Sequence, residues 1–218
     1  MGQTILTVTQ QKVLQTLAKD KIVTSQFYLT GGTALSEYYL QHRLSEDLDF
    51  FSEKEVDTLW LTSLSQKVKR AIVADEIDIQ QSYNRNLVFF TVGEATLKTE
   101  FTYFPFSGIE KPLFYDGHHV DSILDIAVNK FFTIYQQPAA RHFIDLYLIL
   151  QKKLVKWEDL ARLARIKFDV VIDPLQLGSQ LVSAKTIGQL PYMLVDMDDA
   201  WRSYYIDRAR ELRSKVGR

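Results

Sequence analysis

Two clusters near the amino end carry residue types that could do chemistry together: Gly31-Gly32-Thr33 and Asp47-Leu48-Asp49. Paired glycines let a backbone approach a ligand closely. If a helix follows them, its free N–H groups and positive dipole end suit a phosphate. Thr33 could cap that helix or add a hydroxyl to the phosphate. The plainer alternative is a tight strand–helix turn. In the second cluster, strand alternation points Asp47 and Asp49 the same way and Leu48 into the core. Two neighbouring carboxylates repel unless a cation lies between them, and hard oxygen ligands suit Mg²⁺. The alternative is a surface Asp-x-Asp at a strand end. Phe50-Phe51 follow directly and tie the acids to a buried strand. A phosphate-cradling turn and a metal-holding pair, joined by one helix, are what nucleotide transfer requires.

The elements that must position these residues follow from pattern. A helix is expected over 4–19, and a strand over 27–30 stopped by the glycines. A short helix should run from about Thr33 to Gln41, a strand from Leu48 to Phe51, and a helix over 55–73. Runs at 76–82, 86–92 and 95–104, divided by turn residues, predict an antiparallel meander. A short strand through Phe114 and Tyr115 follows Pro112, and His118-His119 are expected in a turn at the surface. From Asp121 the pattern is helical, at 121–136, 139–152, 157–167 and 197–215, with Pro138, Pro174 and Pro191 between helices. The fold class is thus α/β (α+β), with an α/β core over 1–120 and a helical region over 121–218 packed on it.

Composition narrows the function classes. Of 218 residues, 46% are hydrophobic, enough for a substantial core. There is no cysteine, which excludes disulfides, iron–sulfur clusters and thiol nucleophiles. His42, His118, His119 and His142 are not spaced as a zinc helix motif. No signal-peptide core and no membrane-length apolar run is visible, so a cytoplasmic protein without membrane association is expected. A net charge of -1 argues against a purely charge-driven nucleic-acid binder. Basic residues nevertheless gather in two segments: Lys152, Lys153, Lys156, Arg162, Arg165 and Lys167, then Arg202, Arg208, Arg210, Arg213, Lys215 and Arg218. They read either as solvated helix faces or as a bed for an RNA backbone.

The stretch from Tyr28 to Ser52 resembles the core of the AbiEii/AbiGii-type toxin family, a minimal branch of the DNA polymerase β-like nucleotidyltransferases. The shared elements are Leu29, Gly31 to Leu35, His42, Arg43, Ser45 and Asp47 to Phe51. The resemblance implies a polymerase β-like core with a mixed sheet. It also implies two Mg²⁺ ions, a nucleoside triphosphate as substrate, and Gly31, Gly32, Thr33, Arg43 and Ser45 around the nucleotide. A third carboxylate is usual on a neighbouring strand, and Glu100 is the candidate beside Asp47 and Asp49. By alternation it shares a face with Lys98, which leaves a Lys/Glu pair on an exposed strand face as the alternative. Glu94, at a turn, is weaker. A helical motif of the family maps onto Lys130, Arg141 and Asp145: Lys130 would neutralise triphosphate charge, and Asp145 would orient it or line the pocket. A structural Lys–Asp salt bridge is the other reading. Where relatives show Arg-Asp, this chain has Arg141-His142.

Three readings stand side by side. The resemblance implies a toxin that transfers a nucleoside monophosphate to the 3′ end of transfer RNA, countered by a cognate antitoxin. The same site could act on a protein or small-molecule hydroxyl. A nucleotide-binding module without turnover is the third.

Overall fold

The computed structural model describes residues 4–216. Helix α1 (Val8–Leu17) starts at the capping box of Thr7 and Gln10, so the helical pattern begins four residues later than its apolar spacing suggests. Gln10 also acts beyond this cap. Its side-chain amide donates to the carbonyls of Ser45 (2.9 Å) and Glu46 (3.1 Å), fixing the approach to the acid pair. After α2 (Lys21–Gln26), strand β1 (Tyr28–Thr30) runs straight into α3 (Gly31–Leu35). That helix starts at Gly31, two residues earlier than expected, with Thr30 in the capping position. It continues as a π-helical turn, Ser36–Leu40, ended by Gln41 in the left-handed region.

Strand β2 (Leu48–Ser52) and helix α4 (Thr58–Ile72) follow, then β3 (Glu76–Ser82), β4 (Arg85–Val92), β5 (Ala95–Tyr103), β6 (Leu113–Tyr115) and β7 (His118–Val120). They form one seven-stranded mixed sheet in the order β3-β4-β5-β2-β1-β7-β6. β2 pairs parallel with β5, β1 parallel with β7, and β1 antiparallel with β2; β3, β4 and β5 are the expected meander. The histidines do not lie in a turn. Asp116 and Gly117, both at positive φ, make the turn, and His118 and His119 begin the returning strand, with His118 buried. The Nε2 of His118 lies 2.8 Å from the Tyr38 hydroxyl.

One sheet face carries Leu48, Phe50, Val88, Phe90, Thr99 and Phe101, all buried. Phe50 stacks on Phe101 at 5.3 Å, and Phe27 and Trp60 meet Phe101 edge-on. Leu61, Leu64, Val68 and Ile72, one apolar stripe of α4, are buried with them. Truncating a ring such as Phe101 would cost about 3–5 kcal/mol. Because this face is filled, the alternating residues of β2 and β5 are left for the opposite face.

Helices α5 (Ile123–Gln136), α6 (Ala140–Gln151), α7 (Trp157–Phe168), α8 (Pro174–Val182) and α9 (Ala200–Val216) complete the chain. α8 has no counterpart in the sequence pattern, although Asp173 caps it and Pro174 occupies its first turn. It packs on α5 and α9. The core of this region is aromatic: Phe143 lies 4.8 Å from Tyr205, whose hydroxyl donates to the Phe143 carbonyl at 2.9 Å. The backbone divides into two units, residues up to Ser107 with Lys111–Ser122, and Gly108–Glu110 with the residues from Ile123 onward. Among the described residues, no helix is long and apolar enough to cross a membrane.

Candidate active site

In the sheet unit, the glycine turn and the acid strand interlock. Thr30 of β1 is the register partner of Asp49 on β2, so the turn begins beside the acid. Gly31 has φ +75, and a side chain there would run into the Asp49 carboxylate. Gly32 is equally constrained: an added Cβ would collide with the Arg43 guanidinium and lie 2.8 Å from Ser45 Oγ. Both positions therefore need glycine for close approach. The Thr33 hydroxyl donates to the Asp47 carbonyl, so this buried residue pins the acid strand and does not cap the helix. Arg43, also buried, donates from Nη1 to the Leu44 carbonyl at 2.8 Å. Gly31, Gly32, Thr33, Arg43, Ser45, Asp47 and Asp49 are thus one local cluster.

Leu48 is fully buried, whereas Asp47 and Asp49 flank it on the half-exposed side. The adjacent strand β5 brings Glu100 beside Asp49 in register. Lys98 reaches Asp47, with Nζ 2.5 Å from Oδ2. Glu100 is not on an exposed face. It is buried, and both its oxygens are engaged by Arg85 of β4: Nε to Oε1 and Nη2 to Oε2, each at 2.7 Å. Thr102 Oγ1 donates to Oε1 at 2.7 Å as well. Burial pushes the Glu100 carboxyl up, but the Arg85 and Thr102 hydrogen bonds and the Arg85 and Lys98 charges outweigh it, holding the carboxyl below its ordinary value. Glu94 is exposed at the β4–β5 turn. The Arg85–Glu100 pair was not legible in the sequence, since it depends on hairpin register.

A divalent cation can be tested against these donors. Asp47 and Asp49 offer half-exposed hard oxygens at the amino end of a central strand, a donor set that suits Mg²⁺, which would take Asp47 Oδ2 in place of the Lys98 ammonium. Glu100 is the less open donor: Oε1 already accepts from Arg85 Nε and Thr102 Oγ1, and Oε2 from Arg85 Nη2.

Among its described residues, the helical unit holds two buried ion pairs. Lys130 of α5 lies 2.7 Å from Asp145 of α6, with side chains 8% and 0% exposed. Lys167 of α7 lies 2.6 Å from Asp125 of α5, both side chains fully buried. Asp125 also accepts from the backbone N–H groups of Ile109 and Glu110, each at 2.9 Å. Burial raises its carboxyl, and Lys167 and the two N–H groups more than reverse that, leaving it below its ordinary value. Lys167 therefore leaves the basic segment and joins the core. Arg141 is exposed and His142 half-buried. In the basic segments, Arg162, Arg202, Arg208 and Arg210 pair with acids of their own helix or its cap, which is the solvated-face arrangement. Lys152, Lys153, Lys156, Arg165 and Arg213 are exposed, while the Lys215 side chain and Arg218 lie outside the described residues.

Comparison with known proteins agrees with this architecture. An Aquifex aeolicus (strain VF5) protein, uncharacterized protein aq_aa25, is 30% identical over 159 residues, which cover 69% of this chain and 72% of that protein. A crystal structure of a proposed nucleotidyltransferase from H. pylori superposes with a TM-score of 0.61 at 24% identity, covering 96% of this chain and 93% of that one. MenT4, the nucleotidyltransferase toxin Rv2826c from Mycobacterium tuberculosis H37Rv, gives 0.51 at 14% identity, with 93% and 81% covered. At these identities the likeness shows the fold, which is polymerase β-like. The family model of the nucleotidyl transferase AbiEii toxin, type IV toxin–antitoxin system, matches residues 12–215. With a match over nearly the whole length, the chain belongs to the AbiEii nucleotidyltransferase toxin family, and its activity is nucleotidyl transfer.

Proposed function

We propose that the chain transfers a nucleoside monophosphate from a nucleoside triphosphate to the 3′-terminal hydroxyl of a transfer RNA, and that it does so as the toxin of a toxin–antitoxin pair. The observation that carries this reading is the interlock of the glycine turn with the acid strand. It brings the backbone of Gly31-Gly32, the Arg43 guanidinium and the Asp49 carboxylate into one small space, with Asp47 tied to it through its backbone carbonyl. In the reaction the acceptor oxygen bonds to the α-phosphorus, the bond from that phosphorus to the bridging oxygen breaks, and pyrophosphate leaves. The acceptor gives up its proton to solvent.

Gly31 and Gly32 accept the triphosphate against bare backbone. Arg43 and Ser45 line the same turn, where a guanidinium fork and a hydroxyl suit phosphate oxygens. Asp47 and Asp49 would hold Mg²⁺, which supplies charge neutralisation at the reacting phosphate and lowers the cost of pyrophosphate departure. Thr33 and Gln10 keep the acid strand in place from behind. Lys130, paired with Asp145 within the helical unit, is the residue to which the family resemblance assigns neutralisation of triphosphate charge. The exposed Lys152, Lys153, Lys156, Arg165 and Arg213 offer an RNA backbone its contacts. A cognate antitoxin is the expected partner.

The test is incubation of the protein with total transfer RNA, Mg²⁺ and each α-³²P-labelled nucleoside triphosphate in turn. The Asp47→Ala/Asp49→Ala protein is the control. Label entering RNA only with intact acids supports the assignment and names the nucleotide. Label on protein, with none in RNA, would transfer the reading to a protein acceptor. Label in RNA from the double variant would sink the metal-site assignment.

A further inference from the structure

The third carboxylate of the site poses a conflict that only the hairpin register reveals. Glu100 stands beside Asp49, where a third metal ligand would be expected, yet its oxygens are already committed to Arg85 and Thr102. A bidentate Arg–carboxylate pair is among the strongest and most directional side-chain contacts. Adding a cation to the same oxygens would set it directly against the Arg85 guanidinium. Arg85 itself is 57% exposed, and its Nη1 makes no hydrogen bond among the described residues. It therefore turns one edge toward Glu100 and another toward solvent, on the same sheet face as Asp47 and Asp49.

We infer that Glu100 is not a metal ligand but a positioning residue that anchors Arg85, and that the Arg85 guanidinium serves as a fixed cation contacting a substrate phosphate beside a one-ion Asp47–Asp49 centre. The inference rests on the nucleotidyltransfer reading above and concerns the same site. Its physical content is a substitution of charge carriers. Where a second divalent ion would be recruited from solution, this chain supplies a permanent positive group held by two parallel hydrogen bonds. A guanidinium is charged at every working pH and has donors to spare once its carboxylate is satisfied. Glu100 then matters through geometry: without it, Arg85 keeps its charge but loses its aim. The phosphate it meets belongs either to the triphosphate or to the acceptor's backbone, two sources with one chemistry.

The experiment measures Mn²⁺ binding to the full chain by titration calorimetry and by the loss of free-ion paramagnetic resonance signal. Steady-state transfer is measured in parallel with each substrate varied in turn. The proteins are wild type, Glu100→Gln, Arg85→Gln, Arg85→Lys, the double variant Glu100→Gln/Arg85→Gln, and Asp49→Asn. The expected result is one Mn²⁺ per wild-type chain, with affinity changed by less than about 3-fold in Glu100→Gln and abolished in Asp49→Asn. Arg85→Gln and Glu100→Gln should each raise one KM by about 10-fold or more, and the double variant should be no worse than Arg85→Gln alone, as for residues acting as a unit. Arg85→Lys, a charge without the fork, should recover part of the loss. The KM that moves identifies the phosphate, triphosphate or acceptor.

A second Mn²⁺ in wild type that disappears in Glu100→Gln would overturn the inference. So would Arg85→Gln, which leaves the carboxylate in place, if it left both KM values unchanged. Retention of Mn²⁺ binding in Asp49→Asn would instead overturn the metal-site assignment itself, so the two failures are distinguishable.

Discussion

The sheet unit and the helical unit both pair acids with bases, but they do so at opposite ends of the solvent scale. Lys98 and Asp47 meet with side chains 25% and 43% exposed, at the amino end of the central strand β2. Lys167 and Asp125 meet with nothing exposed, and Asp125 takes two backbone N–H groups besides. An exposed pair contributes little to stability and can exchange its partner. A buried one cannot lose a partner without leaving an uncompensated charge in a medium that solvates it poorly. Chemistry needs the first kind of pair and scaffolding the second. Lys130–Asp145 lies close to the buried extreme, although the family resemblance gives it a role in binding substrate.

The largest effect that could break this contrast is Asp49→Ala. Transfer activity should fall by at least about 10²–10³-fold, comparable to removing a key electrostatic group from an active site, while the thermal midpoint moves by no more than a few degrees. A protein that melts far earlier would show the acid to be structural. Next comes Lys167→Met, expected to cost about 3–5 kcal/mol in denaturant titration because the buried Asp125 carboxylate loses its Lys167 counter-charge. Replacing both partners, as Asp125→Leu/Lys167→Met, should regain much of the loss; no recovery would mean that the two N–H contacts outweigh the ion pair.

Lys130→Met sharpens the intermediate case. A purely structural pair would lower stability by about 3 kcal/mol and leave the KM for the triphosphate unchanged among folded molecules. A pair that also binds substrate would raise that KM, and Lys130→Arg would restore stability more fully than KM.

The smallest effect is on pH dependence. Asp125 and Glu100 both have folded-state carboxyls below their ordinary values. Their stabilisation is therefore fully present above the unfolded carboxylate value of about 4, and is lost as pH falls through the lower folded values. Unfolding free energy measured by denaturant should decline below about pH 4, and Asp125→Asn should flatten that decline. An unchanged slope would remove Asp125 from the acid sensitivity.

The legibility of the molecule follows the same division. Gly31 to Asp49 could be read from sequence because the turn, the helix and the acid strand are neighbours along the chain, and strand alternation fixes which side chains share a face. Leu48 is buried between its two acids, as that alternation requires. Arg85 and Glu100 are 15 residues apart across a hairpin, and a one-residue slip in register would have turned either away. Asp125 and Lys167 are 42 residues apart, with nothing local to join them. Lys167 read as one more base in a basic segment, and only an adjacent Phe168 hinted at burial. Helix α8 was hidden by its short length and by Gly178, a weak helix former, in its middle. His118 was misplaced because Gly117 marked the turn without saying on which side the strand resumes.

The brief excursion of Gly108–Glu110 bears on how this protein can be dissected. The backbone passes from one unit to the other between Ser107 and Gly108, returns between Glu110 and Lys111, and leaves again between Ser122 and Ile123. The units are stitched, not strung in series, and no single cut yields both intact. A fragment opened at residue 121 would carry Asp125 and Lys167 but lack the Ile109 and Glu110 amides that complete the carboxylate's shell. A faithful excision of the helical unit would have to bring that three-residue thread along, grafted through a linker ahead of Ile123.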